Sequence, residues 1–136
     1  MAGMPMMIFG DGSQTRDFTF VSDTARGILL AGFSNKAVGQ TINLGQGSEI
    51  SINELAADVA RVAGQPEAKT EHIGQRPGDV LRLYADSGRA REMLDFSPRV
   101  GLPEGLGKLM AWYQGLGMAP AALLEDEIVQ NWKPSA

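Results

Sequence analysis

The 136-residue sequence contains no cysteine, which removes disulfides, thiolate zinc sites and cysteine nucleophiles together and fits a cytoplasmic setting. Histidine is almost absent too. The single one, His72, falls in a segment that reads as a strand, where a packed or surface imidazole is the expected state. The two tyrosines, Tyr84 and Tyr113, are followed four positions later by Gly88 and Gly117, so neither has the lysine that would activate its phenol from the next helical turn. No apolar run approaches the roughly 18 residues of a membrane span, and the N-terminus has no basic region ahead of an apolar stretch, so neither a membrane anchor nor secretion is expected. Positive charge is in deficit: 12 Lys and Arg against 16 Asp and Glu leave a net charge of −4, the wrong sign for a nucleic-acid surface. The carboxylates show no metal-ligand spacing, and no metal is expected. Any anion bound here must be met by a few placed arginines rather than by the overall field.

What is present is ordinary for one soluble domain: 43% hydrophobic and 21% charged residues. Short strand-like and helical stretches alternate, without repeats or low-complexity tracts. Met6 to Phe9 reads as a strand, and the Asp11-Gly12 turn leads to a second at Asp17 to Val21. Ser22 or Asp23 then offers an N-cap for a helix with Ala25, Ile28 and Leu29 on its inner face. Thr41 to Leu44 reads as the next strand. Ser51 and Glu54 form a capping box for a helix with Ile52, Leu55, Ala56, Val59 and Val62 at helical spacing, closed by Gly64. Strand-like pieces come next at Lys69 to Ile73 and Val80 to Tyr84, and Asp86 is placed to cap a short helix through Ala90, Met93 and Leu94. Pro103 suits the first turn of a further helix, striped by Leu102, Leu106, Leu109, Met110 and Tyr113. A last helix is expected over Ala121 to Trp132, with Leu124, Ile128 and Trp132 in register. The class is α/β: short strands and about five helices, without the complete sheet of a doubly wound domain.

Recognition chemistry stands out against this background. Gly45-Gln46-Gly47 lies between a strand and a helix, as a dinucleotide fingerprint does, but Ile50 stands where the third glycine belongs, and the capping box alone accounts for the segment. Gly10-Asp11-Gly12 is followed by a strand, so it reads as a tight turn. Arg76 and Asp79 flank a Pro-Gly turn, and Arg16 enters its strand from the first glycine-rich stretch. Guanidinium groups grip phosphate oxygens bidentately, and a carboxylate accepts from the vicinal hydroxyls of a sugar. The same arginines equally suit surface ion pairs, with Asp17 or Asp79.

Three stretches, "IFGDGSQTRDFTFVSDTARGI", "TINLGQGSEISINELA" and "RPGDVLRLYADSGRAREMLDFSPRVGLPEGL", resemble the C-terminal portion of NAD-dependent epimerase/dehydratases, extended short-chain dehydrogenases acting on nucleotide sugars. The resemblance runs from about Gly3 to Tyr113. It implies that Arg16, Arg76 and Asp79 face the nucleotide diphosphate and ribose, and that Asp23 and Asp86 are structural. It also implies an N-terminal half, with the NAD site and a Tyr-Lys dyad, that this sequence does not contain. The expectation is therefore a substrate-binding unit over residues 1–117 and an additional helical tail over 118–136. By itself this chain is expected to bind no NAD and to be inactive, with a nucleotide sugar as a weak ligand. Its partner would be a second copy or the missing NAD-binding half. A stand-alone sugar-nucleotide-binding module and a self-associating interaction domain are the alternatives. The resemblance also places "LDF", residues 94–96, where a glycine is commoner.

Overall fold

The computed structural model describes residues 3–125. Its elements run β1 (Met6–Phe9), β2 (Thr15–Arg16), α1 (Val21–Gly32), a 3-10 turn at Asn35–Ala37, β3 (Ile50–Ser51), α2 (Ile52–Val62), β4 (Thr70–Ile73), β5 (Arg82–Leu83), α3 (Gly88–Leu94), α4 (Leu102–Gly115) and a 3-10 turn at Ala122–Leu124. Two small sheets result. β1 pairs parallel with β4, Met6 opposite Thr70 through Phe9 opposite Ile73. In the second sheet β2 is central, antiparallel to β3 (Thr15 opposite Ser51) and parallel to β5 (Thr15 opposite Arg82).

α2 forms as its sequence dictates. The Ser51 side chain accepts from the Glu54 amide at 3.2 Å while the Glu54 carboxylate accepts from the Ser51 amide at 2.9 Å. These reciprocal bonds satisfy amide groups that the helix start leaves without intrahelical partners. Ala56 and Ala60 are its buried residues, and Gly64 ends it with φ +70°.

α1 departs from the expected pattern in two ways. It starts at Val21 with Phe20 at the N-cap and no side-chain cap, so Asp23 lies in the first turn and does not cap. Its inner face is not Ala25, Ile28 and Leu29: all three are exposed, Ile28 and Leu29 by 60% each. Instead Asp23 and Gly27 face inward. The reason is a polar lock. Asp23 Oδ2 accepts from the backbone amides of Arg99 and Val100, both at 2.9 Å, and Oδ1 accepts from Arg26 at 2.9 Å. Gly27 permits the close approach this requires, because a Cβ there would lie 2.6 Å from Leu44 Cδ1 and 3.1 Å from the Phe96 ring. The helix thus buries its only two charged residues, Asp23 and Arg26, wholly or in large part and shows solvent an uncharged stripe of Val21, Ala25, Ile28 and Leu29, continued by Phe33 at 90% exposure.

Two expected strands are shortened or missing. Strand pairing stops at Arg16 because the Asp17 side chain turns to bind backbone amides of other segments, and residues 17–20 form a connection into α1. Thr41 to Leu44 has no ladder partner among the described residues, although Ile42 and Leu44 pack against the cluster of Ala90, Leu94 and Phe96. α3 begins at Gly88 with Ser87 at the N-cap, and the Asp86 carboxylate accepts from the Gly88 amide at 2.8 Å. It ends at Asp95, whose φ of +51° is left-handed. α4 carries its proline at the first turn, but Leu109 and Tyr113 of its stripe are a little under half exposed. The expected last helix lies outside the described residues beyond Glu125, Ile128 and Trp132 included; its first part forms a 3-10 turn at Ala122–Leu124.

Candidate functional site

Parallel pairing of β2 with β5 is what assembles the site. The Thr15 amide donates to Leu81 O at 2.8 Å and the Asp17 amide to Leu83 O at 3.1 Å, which sets Arg16 beside the loop that precedes β5. That loop turns through Arg76-Pro77-Gly78-Asp79. The Asp79 amide closes it on Arg76 O at 3.2 Å, and Gly78, with φ +75°, takes the position a type II turn reserves for a residue without Cβ strain. The proline pre-sets the turn and the glycine completes it, so its geometry is written in four consecutive residues.

Arg16 and Asp79, 63 positions apart, meet as an ion pair. The other guanidinium nitrogen of Arg16 donates to Thr15 O at 2.7 Å and Val80 O at 2.9 Å. Both side chains remain about one-fifth exposed, 20% and 22%. Arg16 lines a cleft of about 330 Å³ with Asp17, Asn43, Gly45 and Tyr84. Asp79 lines a second, of about 230 Å³, with Phe9, Asp11, Ser13, Gln14 and Gln75. The pair therefore contributes to both walls. Arg76 is exposed at the start of the turn. The structure brings Arg16 and Asp79 into direct contact, and Arg76 adjoins them through the turn hydrogen bond of its carbonyl.

Asp17, expected only as an ion-pair partner for an arginine, binds backbone instead. Its carboxylate accepts from the amides of Gln46 (3.0 Å), Gly47 (2.9 Å) and Ala85 (3.3 Å), stitching β2 to the glycine turn and to the exit of β5. Gly45 is required beside it: a Cβ there would lie 2.5 Å from Ala85 Cβ and 2.8 Å from Asp17 Oδ2. Sequence reading missed a second cluster. Glu49 accepts from Thr15 Oγ1 at 2.6 Å and from Arg82 Nε at 2.6 Å, and Arg82 lies over the Tyr84 ring at 5.2 Å. The Arg82 bond, then that of Thr15, holds the Glu49 carboxyl below its ordinary range. Such long-range pairs leave no periodic signal, since partners on separate segments meet only once the sheet forms. His72 is exposed, with Nε2 3.1 Å from Asn53 Oδ1. Among the described residues no cluster of three or more His, Cys, Asp or Glu is placed to hold a metal, and no helix is long and apolar enough to cross a membrane.

The glycine-rich turn at Gly45–Gly47, between an extended segment and α2, does not fit a dinucleotide pyrophosphate. Two of its amides, Gln46 and Gly47, already donate to the Asp17 carboxylate, and the α2 start is closed by its own capping box. A phosphate needs free amides and no neighbouring anion. That turn therefore offers NAD no phosphate cradle.

The family model for GDP-mannose 4,6 dehydratase matches residues 1–109. A UDP-glucose 4-epimerase from Mycolicibacterium smegmatis is 40% identical over 114 residues, covering 84% of this chain and 36% of that protein. An epimerase structure from Methanothermobacter thermautotrophicus superposes with a TM-score of 0.79 at 37% identity, over 83% of this chain and 34% of its own. The Bacillus cereus UDP-glucuronic acid 4-epimerase, solved with UDP-glucuronic acid and NAD, gives a TM-score of 0.78 at 33% identity, over 84% of this chain and 36% of its own. The chain thus spans about a third of the length of the relatives it matches. By sequence and by fold, it belongs to the NAD-dependent epimerase/dehydratases of the extended short-chain dehydrogenase family.

Proposed function

We propose that this chain is the sugar-nucleotide-binding part of an epimerase/dehydratase, with Arg16 and Arg76 addressing the diphosphate and Asp79 the ribose hydroxyls. The observation that carries this reading is the meeting of Arg16 and Asp79 across β2 and β5 where two clefts adjoin. Support also comes from relatives solved with a UDP-sugar and NAD. Residues 1–117 form the binding unit in this reading and 118–136 an added tail, in a cytoplasmic setting. NAD and the Tyr-Lys dyad belong to a further domain, so the chain is inactive alone.

Each charge-assisted contact contributes about 1.5–3 kcal/mol. Three give about 5–9 kcal/mol against an association cost of about 4 kcal/mol or more, which places affinity near the millimolar range or weaker. Binding should favour a UDP-sugar over the free sugar and weaken with salt. NMR titration with UDP-glucose tests this: Arg76→Ala should abolish the shifts, and Arg61→Ala, on the exposed side of α2, should not. Shift changes that cluster away from Arg16, Arg76 and Asp79, or that survive Arg76→Ala, would refute it.

A second reading has its own observation. The uncharged outer stripe of α1 is the kind of surface that another molecule covers, so self-association through that face accompanies or replaces the binding role.

A further inference from the structure

The charges of the proposed sugar-nucleotide site are already in use within the chain, and this bears on which ligands that site, if the reading is right, admits. The guanidinium of Arg16 is engaged by Thr15 O, Val80 O and the Asp79 carboxylate. An inorganic phosphate or pyrophosphate approaching Arg16 must displace a carboxylate that already satisfies it, and must do so next to Asp17. Exchanging one anion for another gains little and leaves the Asp79 carboxylate without its partner. A nucleotide differs in one respect. As its phosphate takes the guanidinium, its vicinal ribose hydroxyls donate to Asp79, so both members of the opened pair keep partners. The layout suits this division: Arg16 lines one cleft, and Asp79 lines the other beside the hydroxyl and amides of Ser13, Gln14 and Gln75.

We propose that Asp79 is a specificity-determining residue which, as the resident counter-ion of Arg16, excludes bare phosphates and admits anions that also carry a vicinal diol. The carboxylate raises selectivity at the expense of raw anion affinity, a repulsive element that discriminates against abundant small phosphates.

Titrations of the full chain, followed by backbone amide shifts, with pyrophosphate, UDP and 2′,3′-dideoxy-UDP test this in wild type, Asp79→Asn, Asp79→Ala and Arg16→Ala. Wild type should bind UDP about tenfold or more tighter than dideoxy-UDP, a discrimination that needs no variant to fold. Both Asp79 variants should bind pyrophosphate about tenfold tighter than wild type and lose most of the diol preference. Arg16→Ala should remove binding of every ligand. Arg16-dependent UDP binding with unchanged or weaker pyrophosphate affinity in the Asp79 variants would overturn the filter and leave the site intact. Equal wild-type affinity for UDP and dideoxy-UDP would also overturn it. Absence of any ligand-induced shift around Arg16 in all four proteins would instead overturn the proposed site and this inference with it.

Discussion

Replacing Asp23 should damage the fold more than any surface substitution, because one carboxylate fixes both the rotation of α1 and the chain at Arg99 and Val100. It is 1% exposed. In Asp23→Ala the part-buried amide of Arg99 and the buried amide of Val100 lose their acceptor, at about 1–3 kcal/mol each, the Arg99 amide toward the low end. Arg26 is half-buried and partly regains water, so its loss adds less. Two donors give about 2–6 kcal/mol, which brackets the about 3–5 kcal/mol typical of breaking a buried charged pair by deleting one member, and the expected loss is this narrower range. For a chain of this length, an unfolding entropy of about 0.3 kcal/mol/K turns that into a fall in Tm of about 10–17 °C. Asp23→Asn keeps one acceptor oxygen and should lose about half as much. Burial by itself would raise the Asp23 pKa, but the bonds from Arg26, Val100 and Arg99 outweigh it, and the net direction is down from the ordinary 3.8. A carboxyl depressed in the folded state contributes stability that is present above the unfolded pKa and disappears as pH falls through the folded one. The stability difference between wild type and Asp23→Asn should therefore be full near neutrality and shrink below about pH 4. Urea and thermal unfolding at pH 7 and in acid measure both effects. A fall in Tm of less than about 3 °C for Asp23→Ala, or a wild-type advantage over Asp23→Asn that does not shrink in acid, would refute the lock.

Four further outcomes are expected. Ser51→Ala should lower stability by about 1–2 kcal/mol by removing the capping box at α2, measurable in urea. Asp95→Gly should raise it by about 0.5–1 kcal/mol, since glycine adopts the left-handed φ of +51° without a Cβ penalty; a destabilised variant would show that the aspartate side chain matters there. Isothermal calorimetry with NAD should give no heat of binding, and a micromolar dissociation constant would contradict the occupied state of the Gln46 and Gly47 amides. Light scattering at micromolar concentration should detect a dimer or larger species that Phe33→Ser weakens, whereas a clean monomer would remove the case for self-association.

Local chemistry was legible in the sequence where consecutive residues decide the outcome. The Ser51/Glu54 box, the Gly64 stop, the Pro103 start and β1 and β4 all appear within a residue or so of their expected places. The family, too, was readable from three motifs. Hydrophobic periodicity misled at α1, because apolar residues lie on both sides of that helix and the buried side is chosen by Asp23 and by the absence of a Cβ at Gly27. The strand expected at Asp17 to Val21 failed for a related reason: the Asp17 carboxylate takes backbone amides from two other segments, and no local pattern records that. At the candidate site, sequence singled out Arg16, Arg76 and Asp79 but left open whether Asp17 or Asp79 would pair with an arginine. Only the register of β2 against β5 decides in favour of Asp79.

The inverted polarity of α1 separates two tasks that most surface helices perform with one set of residues. Orientation is encoded in directional bonds from Asp23 and in the missing side chain of Gly27, while Val21, Ile28, Leu29 and Phe33 take no part in it. The outer stripe is consequently free to vary under whatever selection its neighbour imposes, with little effect on the helix that displays it. Such a surface can be redesigned toward a new partner, or made fully hydrophilic for handling in solution, by editing positions on which the rest of the molecule does not depend.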